Sequence, residues 1–163
     1  MRDPLDGVTW FRGSSIRIRR DGLEIHVDPH RVTEDSAADL VMLTHPHYDN
    51  FSEADIARVR DAHTILVAPA SMKKQIGDAD HLMRPGDMLQ LEGLDILAVP
   101  AYNVDKKFHT PEHGWLAIAL TSGDHHLELP FCYTPLGLFN EKTHWRTRTA
   151  GLLPRSIQDS SGA

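Results

Sequence analysis

Between positions 44 and 51 the chain reads Thr44-His45-Pro46-His47-Tyr48-Asp49-Asn50-Phe51, with two imidazoles and a carboxylate at alternate positions. Neutral imidazole nitrogen and carboxylate oxygen are donors that zinc and its neighbours accept. Side chains two residues apart converge when a strand delivers them to the rim of a sheet. The run Leu40-Val41-Met42-Leu43, directly in front, has the apolar character of such a strand. His45, His47 and Asp49 are therefore candidate metal ligands. The chain carries 11 histidines in 163 residues, so a His-x-His pair alone would say little. The alternating Asp and the strand before it give the pair its meaning.

The elements that must position this loop can be read on either side of it. Val8-Thr9-Trp10-Phe11 is a short opening strand. Ile16 and Ile18 alternate with Arg17 and Arg19, which predicts a half-buried strand with one wet face, Arg17, Arg19 and Arg20 forming a solvated basic cluster. Asp21-Gly22 is a hairpin turn leading into Leu23 to Val27, and Pro29 in Asp28-Pro29-His30 stops that strand. The chain thus opens as an antiparallel meander, with His26 a strand residue and His30 a turn residue. After the loop, Ser52 is a helix N-cap with acidic residues in the first turn, and Ile56 and Val59 give the helix an apolar face. Thr64 to Val67 reads as a buried strand, and Pro69-Ala70-Ser71 leads to a second short helix ending near Gly77. Met88 to Leu91, a turn at Glu92-Gly93 and Leu94 to Val99 form a second hairpin. Trp115 to Leu120 is one more buried strand, with Thr121 to Asp124 as its turn. Strands alternating with helices make the fold class α/β.

The loop Thr44 to Asn50 resembles the His-x-His-x-Asp-His signature of the metallo-β-lactamase superfamily, in the Thr-His-x-His-Tyr-Asp-His form of its lactonase-like hydrolases. The resemblance implies an αββα sandwich built from two similar halves. It also implies hydrolysis in which a metal acidifies a water that attacks an ester, lactone, amide or phosphoester, Asp49 orienting that water or taking its proton. The metal would be zinc or another divalent transition metal such as manganese or iron. A Tyr-Asn pair followed by Lys-x-Phe-His is characteristic of one branch, and Tyr102-Asn103 with Lys106-Lys107-Phe108-His109 matches it. The family draws a third His from this region, so His109 becomes the third ligand and His113 a weaker candidate. Asp28 would orient a ligand from behind, or it is simply a turn-forming Asp before Pro. The chain departs from the family at Asn50, which stands where the family has its final His. An Asn amide is a poor zinc ligand, so Asn50 is placed beside the ligand set and one ion is expected. It departs again at Phe11-Arg12-Gly13-Ser14-Ser15, which lacks the His that often follows the family's first strand.

Composition sets outer bounds. A net charge of −6, with 40% hydrophobic and 25% charged residues, argues for one globular domain and against a nucleic-acid partner. Cys132 is the sole cysteine, which excludes an internal disulfide. No stretch approaches the roughly 20 apolar residues of a membrane helix, and the first residues carry no apolar signal region, so a cytoplasmic protein is expected, while the resemblance implies a small-molecule substrate. The resemblance runs from Val8 to Asp124 and then stops. Ser122-Gly123-Asp124 lies in a turn, so Asp124 is not taken as the family's bridging Asp. From Pro130 onward there is no period. The expected organisation is a partial domain over 1–129 and a divergent, poorly ordered tail over 130–163, as in a truncated or frameshifted chain. One half alone would be a single sheet with helices on one side and an apolar face exposed. The alternatives to an active hydrolase are therefore an inactive metal-binding remnant and a half-domain that pairs as a homodimer.

Overall fold

The computed structural model describes residues 6–103, 107 and 109–122, and the backbone of 125–129. The expectations for Asp124 and for the tail lie outside these residues. Six strands form one sheet in sequence order: β1 (Val8–Arg12), β2 (Ser15–Arg20), β3 (Leu23–Val27), β4 (Leu40–Met42), β5 (Ile65–Pro69) and β6 (His81–Met83). The pairs β1–β2 and β2–β3 are antiparallel, as the meander reading predicts, whereas β3 to β6 run parallel. A second, antiparallel sheet has the order β10-β9-β8-β7, from β7 (Met88–Leu91), β8 (Leu94–Pro100), β9 (Leu116–Ser122) and β10 (His125–Leu129). The one α-helix among the described residues, α1 (Glu53–Val59), joins β4 to β5.

The two expected hairpins form for a local reason. Asp21 and Gly22 have φ of 52° and 85°, and Glu92 and Gly93 have φ of 50° and 76°. Two consecutive left-handed residues make the tight turn whose twist matches that of paired strands. Arg20 thereby pairs with Leu23, and Leu91 with Leu94. Ser52 caps α1 as expected, its Oγ accepting the Asp55 N–H at 3.2 Å.

The sheets pack face to face. Ile16, Ile18, Ile25, Val27, Leu40 and Met42 on the first meet Leu94, Ile96, Leu116, Ile118 and Leu120 on the second. The opposite face of the six-stranded sheet buries Val41, Leu43, Leu66 and Ala68 beneath Ile56 and Val59 of α1 and Met72. β4 is therefore buried on both faces, which explains why its sequence is a continuous apolar run rather than an alternation. Burying each such side chain contributes about 1.5–3 kcal/mol, enough to fix β4 as the anchor of the loop that follows it.

Several expectations need correction. The described residues build two sheets, not one, because β7 to β10 form the second layer. The outer face of that layer carries half-buried Leu97, Val99 and Ala117, and Met88 is 68% exposed. The second helix is only a 3-10 turn, Ala70–Met72. β9 continues through Thr121 and Ser122, which were assigned to its turn. Arg17 is not on a wet face. The residue is 8% exposed, and its guanidinium meets Glu34 at 2.5 Å and Thr9 at 3.3 Å and lies 5.6 Å over the Phe11 ring. The loop between β3 and β4 folds over β2 and supplies the partner that alternation alone could not reveal. No described helix is long and apolar enough to cross a membrane.

Candidate metal centre

The carboxyl ends of β3 and β4 lie side by side, and the chain breaks from extended geometry at both. The Asp28 N–H still bonds the Met42 carbonyl at 2.9 Å, but Asp28 itself has φ of 42°. Past β4 the loop curls back, with the N–H groups of Asn50 and Phe51 both donating to the His47 carbonyl at 2.9 and 2.8 Å. Ligands gather at the carboxyl ends of parallel strands because the diverging loops leave a crevice there. A second loop enters that crevice from β8. In it His109 also has a left-handed backbone, φ 58°, and its carbonyl accepts the Asn103 N–H at 2.6 Å. Non-glycine residues held in this region persist only where surrounding structure enforces them, and such strain concentrates at functional sites.

The two loops bring His45, His47 and His109 together. One ring nitrogen from each lies within 4.8 Å of the others, and the ring centroids are 4.9 to 5.0 Å apart. His45 is buried, and the other two are half-buried. Burial, and then the neighbouring imidazoles His109 and His47, push the His45 pKa down to about 3. Burial, His47 and His113 push His109 down to about 4, and the Asp49 carboxylate opposes both shifts. These two rings are therefore neutral at ordinary pH, which is the state a metal requires.

Behind His45 runs a buried chain of hydrogen bonds. Asp28, fully buried, accepts the Thr44 N–H at 2.8 Å and the Thr44 hydroxyl at 2.5 Å. The Thr44 oxygen lies 2.8 Å from His45 Nδ1. While Asp28 is charged, the single Thr44 proton is committed to it and the hydroxyl accepts from Nδ1–H, which leaves the lone pair on Nε2. Burial raises Asp28 to about 7, against the Thr44 hydrogen bonds that favour its charged form. Asn50, 8% exposed, sits on the other side of the ring. Its Oδ1 accepts from Ser14 Oγ, and its Nδ2 lies 3.0 Å from both His45 Nε2 and Asp49 Oδ1. Asp49 is exposed and stands outside the three-imidazole group, tied to it through Asn50.

Comparison with known proteins bears on the family and the fold. The family model described as the beta-lactamase superfamily domain matches residues 7–123. The chain belongs to the metallo-β-lactamase superfamily. Its fold is similar to that of a protein from Parabacteroides distasonis assigned as a metal-dependent hydrolase, at 27% identity and a TM-score of 0.68, over 75% of this chain and 58% of that one. A metallo hydrolase from Ignicoccus hospitalis matches at 17% identity and a TM-score of 0.57, over 76% of this chain and 59% of that one. A diiron β-hydroxylase from Streptomyces venezuelae matches at 13% identity and a TM-score of 0.59, over 75% of this chain and 28% of that one. The chain thus spans little more than half the length of the two hydrolases. No curated protein is significantly similar in sequence.

Metallo-β-lactamase superfamily members bind divalent metals, and His45, His47 and His109 could hold one. His113 does not join them. Its Nδ1 faces the Thr110 N–H at 3.1 Å and the Thr110 hydroxyl at 2.8 Å, closing a capping box around the 3-10 turn Pro111–His113. The centre also contains a residue that the sequence reading left in a strand. Trp115 lies against His45, His47, His109 and His113, with centroids 5.5, 4.6, 4.4 and 4.3 Å away. The signal for it was its place one residue after Gly114, in the stretch that closes the His109 loop.

Proposed function

We propose that this chain is a metal-dependent hydrolase that cleaves an ester, lactone or phosphoester bond in a small-molecule substrate. One divalent ion, zinc or a neighbour such as manganese or iron, would be held by His45, His47 and His109. The observation that carries the reading is the convergence of three imidazoles, two of them held neutral. The donor set fits such an ion, because three imidazole nitrogens leave a coordination position open for chemistry. When bound, the metal supplies a Lewis acid and an acidified water. The residues of the chain do the rest. Asp28 and Thr44 keep the His45 lone pair on Nε2. Asn50 holds the Asp49 carboxylate through its Nδ2–H, and Asp49 orients the attacking water and receives its proton. The test is elemental analysis of the purified protein with the His45→Ala variant alongside, followed by a lactone and phosphodiester screen. About one metal per chain, absent from the variant, is the expected result. Unchanged stoichiometry in the variant refutes the ligand assignment.

A second reading has one observation in its favour. The Asn50 amide nitrogen lies 3.0 Å from His45 Nε2, where it uses the lone pair a metal needs. A folded protein that takes up no metal would be an inactive remnant in which Asn50 has replaced the ion as the partner of His45.

A further inference from the structure

Trp115 is the residue that the candidate ligands share. Its backbone bridges both loops that carry them. The Trp115 carbonyl accepts the Ala101 N–H at 3.1 Å, at the head of the His109 loop. The next N–H, of Leu116, donates to the Thr44 carbonyl at 3.1 Å, one residue before His45. Gly114, with φ of 60°, supplies the left-handed turn that swings the indole inward. Trp115 is 8% exposed, yet it belongs to neither apolar core cluster among the described residues. The ring contacts it makes among those residues are with four imidazoles, nearly edge-on to His47 and His109, at 74° and 81°. A tryptophan recruited only to fill the core would face aliphatic side chains from the two sheets. This one faces the centre.

We propose that Trp115 is a positioning residue of the metal centre, its rigid indole holding the rings of His47 and His109 in the orientation that converges on His45. The proposal rests on the metal-binding reading above. A three-ligand site loses affinity steeply when its ligands can turn away, because the ordering that packing had supplied must come from metal binding itself. A flat, wide ring restrains two neighbouring imidazoles at once, which a branched aliphatic side chain of similar apolarity cannot do.

Two measurements test this. The first uses the full chain with Trp10→Phe and Trp145→Phe, so that Trp115 is the only tryptophan left. Cobalt(II) added to the metal-free protein should quench most of the emission at one equivalent, because the indole touches the ligand rings. Cobalt bound at full stoichiometry with the emission unchanged would overturn the proposal. The second compares Trp115→Phe with Trp115→Leu by competition against a chromophoric chelator. The Phe variant should bind within about threefold of the wild type, and the Leu variant about ten- to a hundredfold more weakly with altered cobalt d–d bands, the range seen for residues that orient ligands. A folded Leu variant that binds cobalt as tightly as the wild type, with the same spectrum, refutes the positioning role and leaves the metal centre standing. A wild-type protein that binds no metal removes both.

Discussion

The six-stranded sheet buries two histidines within a few strands of each other, and they differ in what surrounds them. His26 on β3 is 1% exposed, and His45 beyond β4 is 4% exposed. Burial lowers the pKa of both as its first effect. His26 stacks on Phe11 at 6.3 Å and 14°, its Nε2 faces Glu24 at 3.3 Å, and the ion pairs of Arg17 and Arg19 with Glu34 and Glu24 surround it. His45 faces other imidazoles and has both nitrogens placed by hydrogen bonds. The contrast teaches that a buried histidine of lowered pKa is not itself a site. Convergence of like groups and control of the tautomer make one.

The largest expected difference lies in metal content. His45→Ala should lose bound metal entirely, whereas His26→Ala should keep full stoichiometry and lose about 1–3 kcal/mol of stability from the cavity and the stranded Glu24. Elemental analysis and denaturant melts on the same preparations separate the two effects. If His26→Ala also lost metal while remaining folded, the distinction between the two clusters would collapse.

The next largest effect concerns the groups behind each ring. Thr44→Val removes the hydroxyl that links Asp28 to His45 Nδ1, and Asp28→Asn removes the charge that takes its proton. Each should weaken metal binding about ten- to a hundredfold by freeing the His45 tautomer. Glu24→Gln, the matching change beside His26, should leave metal affinity as it was. Equal affinity in all three variants would show that the Asp28–Thr44 chain is structural only.

How much of this was legible in the sequence depended on how local its cause was. His45 and His47 stood out as candidates because alternation after an apolar run is a property of adjacent residues, Leu40 to Asp49, whereas Asp49, chosen by the same alternation, stands outside the three-imidazole group. The hairpins at Asp21-Gly22 and Glu92-Gly93 and the Ser52 cap are equally local. Arg17 was misread because its partners Glu34 and Phe11 come from other segments, and alternation carries no trace of a loop folding over a strand. β6, His81–Met83, left no signal because three residues show no period, and only the parallel pairing with β5 makes them a strand. Trp115 looked like the start of a buried strand. Its contact with the ligand rings arises from two long-range backbone bonds, to Ala101 and Thr44, that no spacing encodes. Of the site, then, the donor types were legible and their supporting contacts were not.

The smallest effect, and the one that most sharpens the comparison, is on the pH dependence of the metal-free protein. His45 titrates near 3 in the folded chain and at the ordinary 6.5 when unfolded. The unfolded chain then binds the extra proton, so this group's stability contribution is present above 6.5 and is lost as pH falls toward 3. His109, lowered to about 4, acts in the same direction. Asp28 acts in the opposite one. Its pKa is raised from 3.8 to about 7, so its contribution is complete below 3.8 and is lost as pH rises to 7. From about pH 4.5 to 6.5 two imidazoles oppose one carboxyl, and stability should rise with pH. Urea melts across this window should show His45→Gln flattening the rise by up to about 1.4 kcal/mol per pH unit, the linkage of a single proton. Asp28→Asn should steepen it by a similar amount. The signs are opposite although both residues are buried in one network, because burial disfavours the charged form of each, and the charged form is the protonated one for His45 and the deprotonated one for Asp28. If both substitutions moved the slope the same way, burial would not be the cause of both shifts.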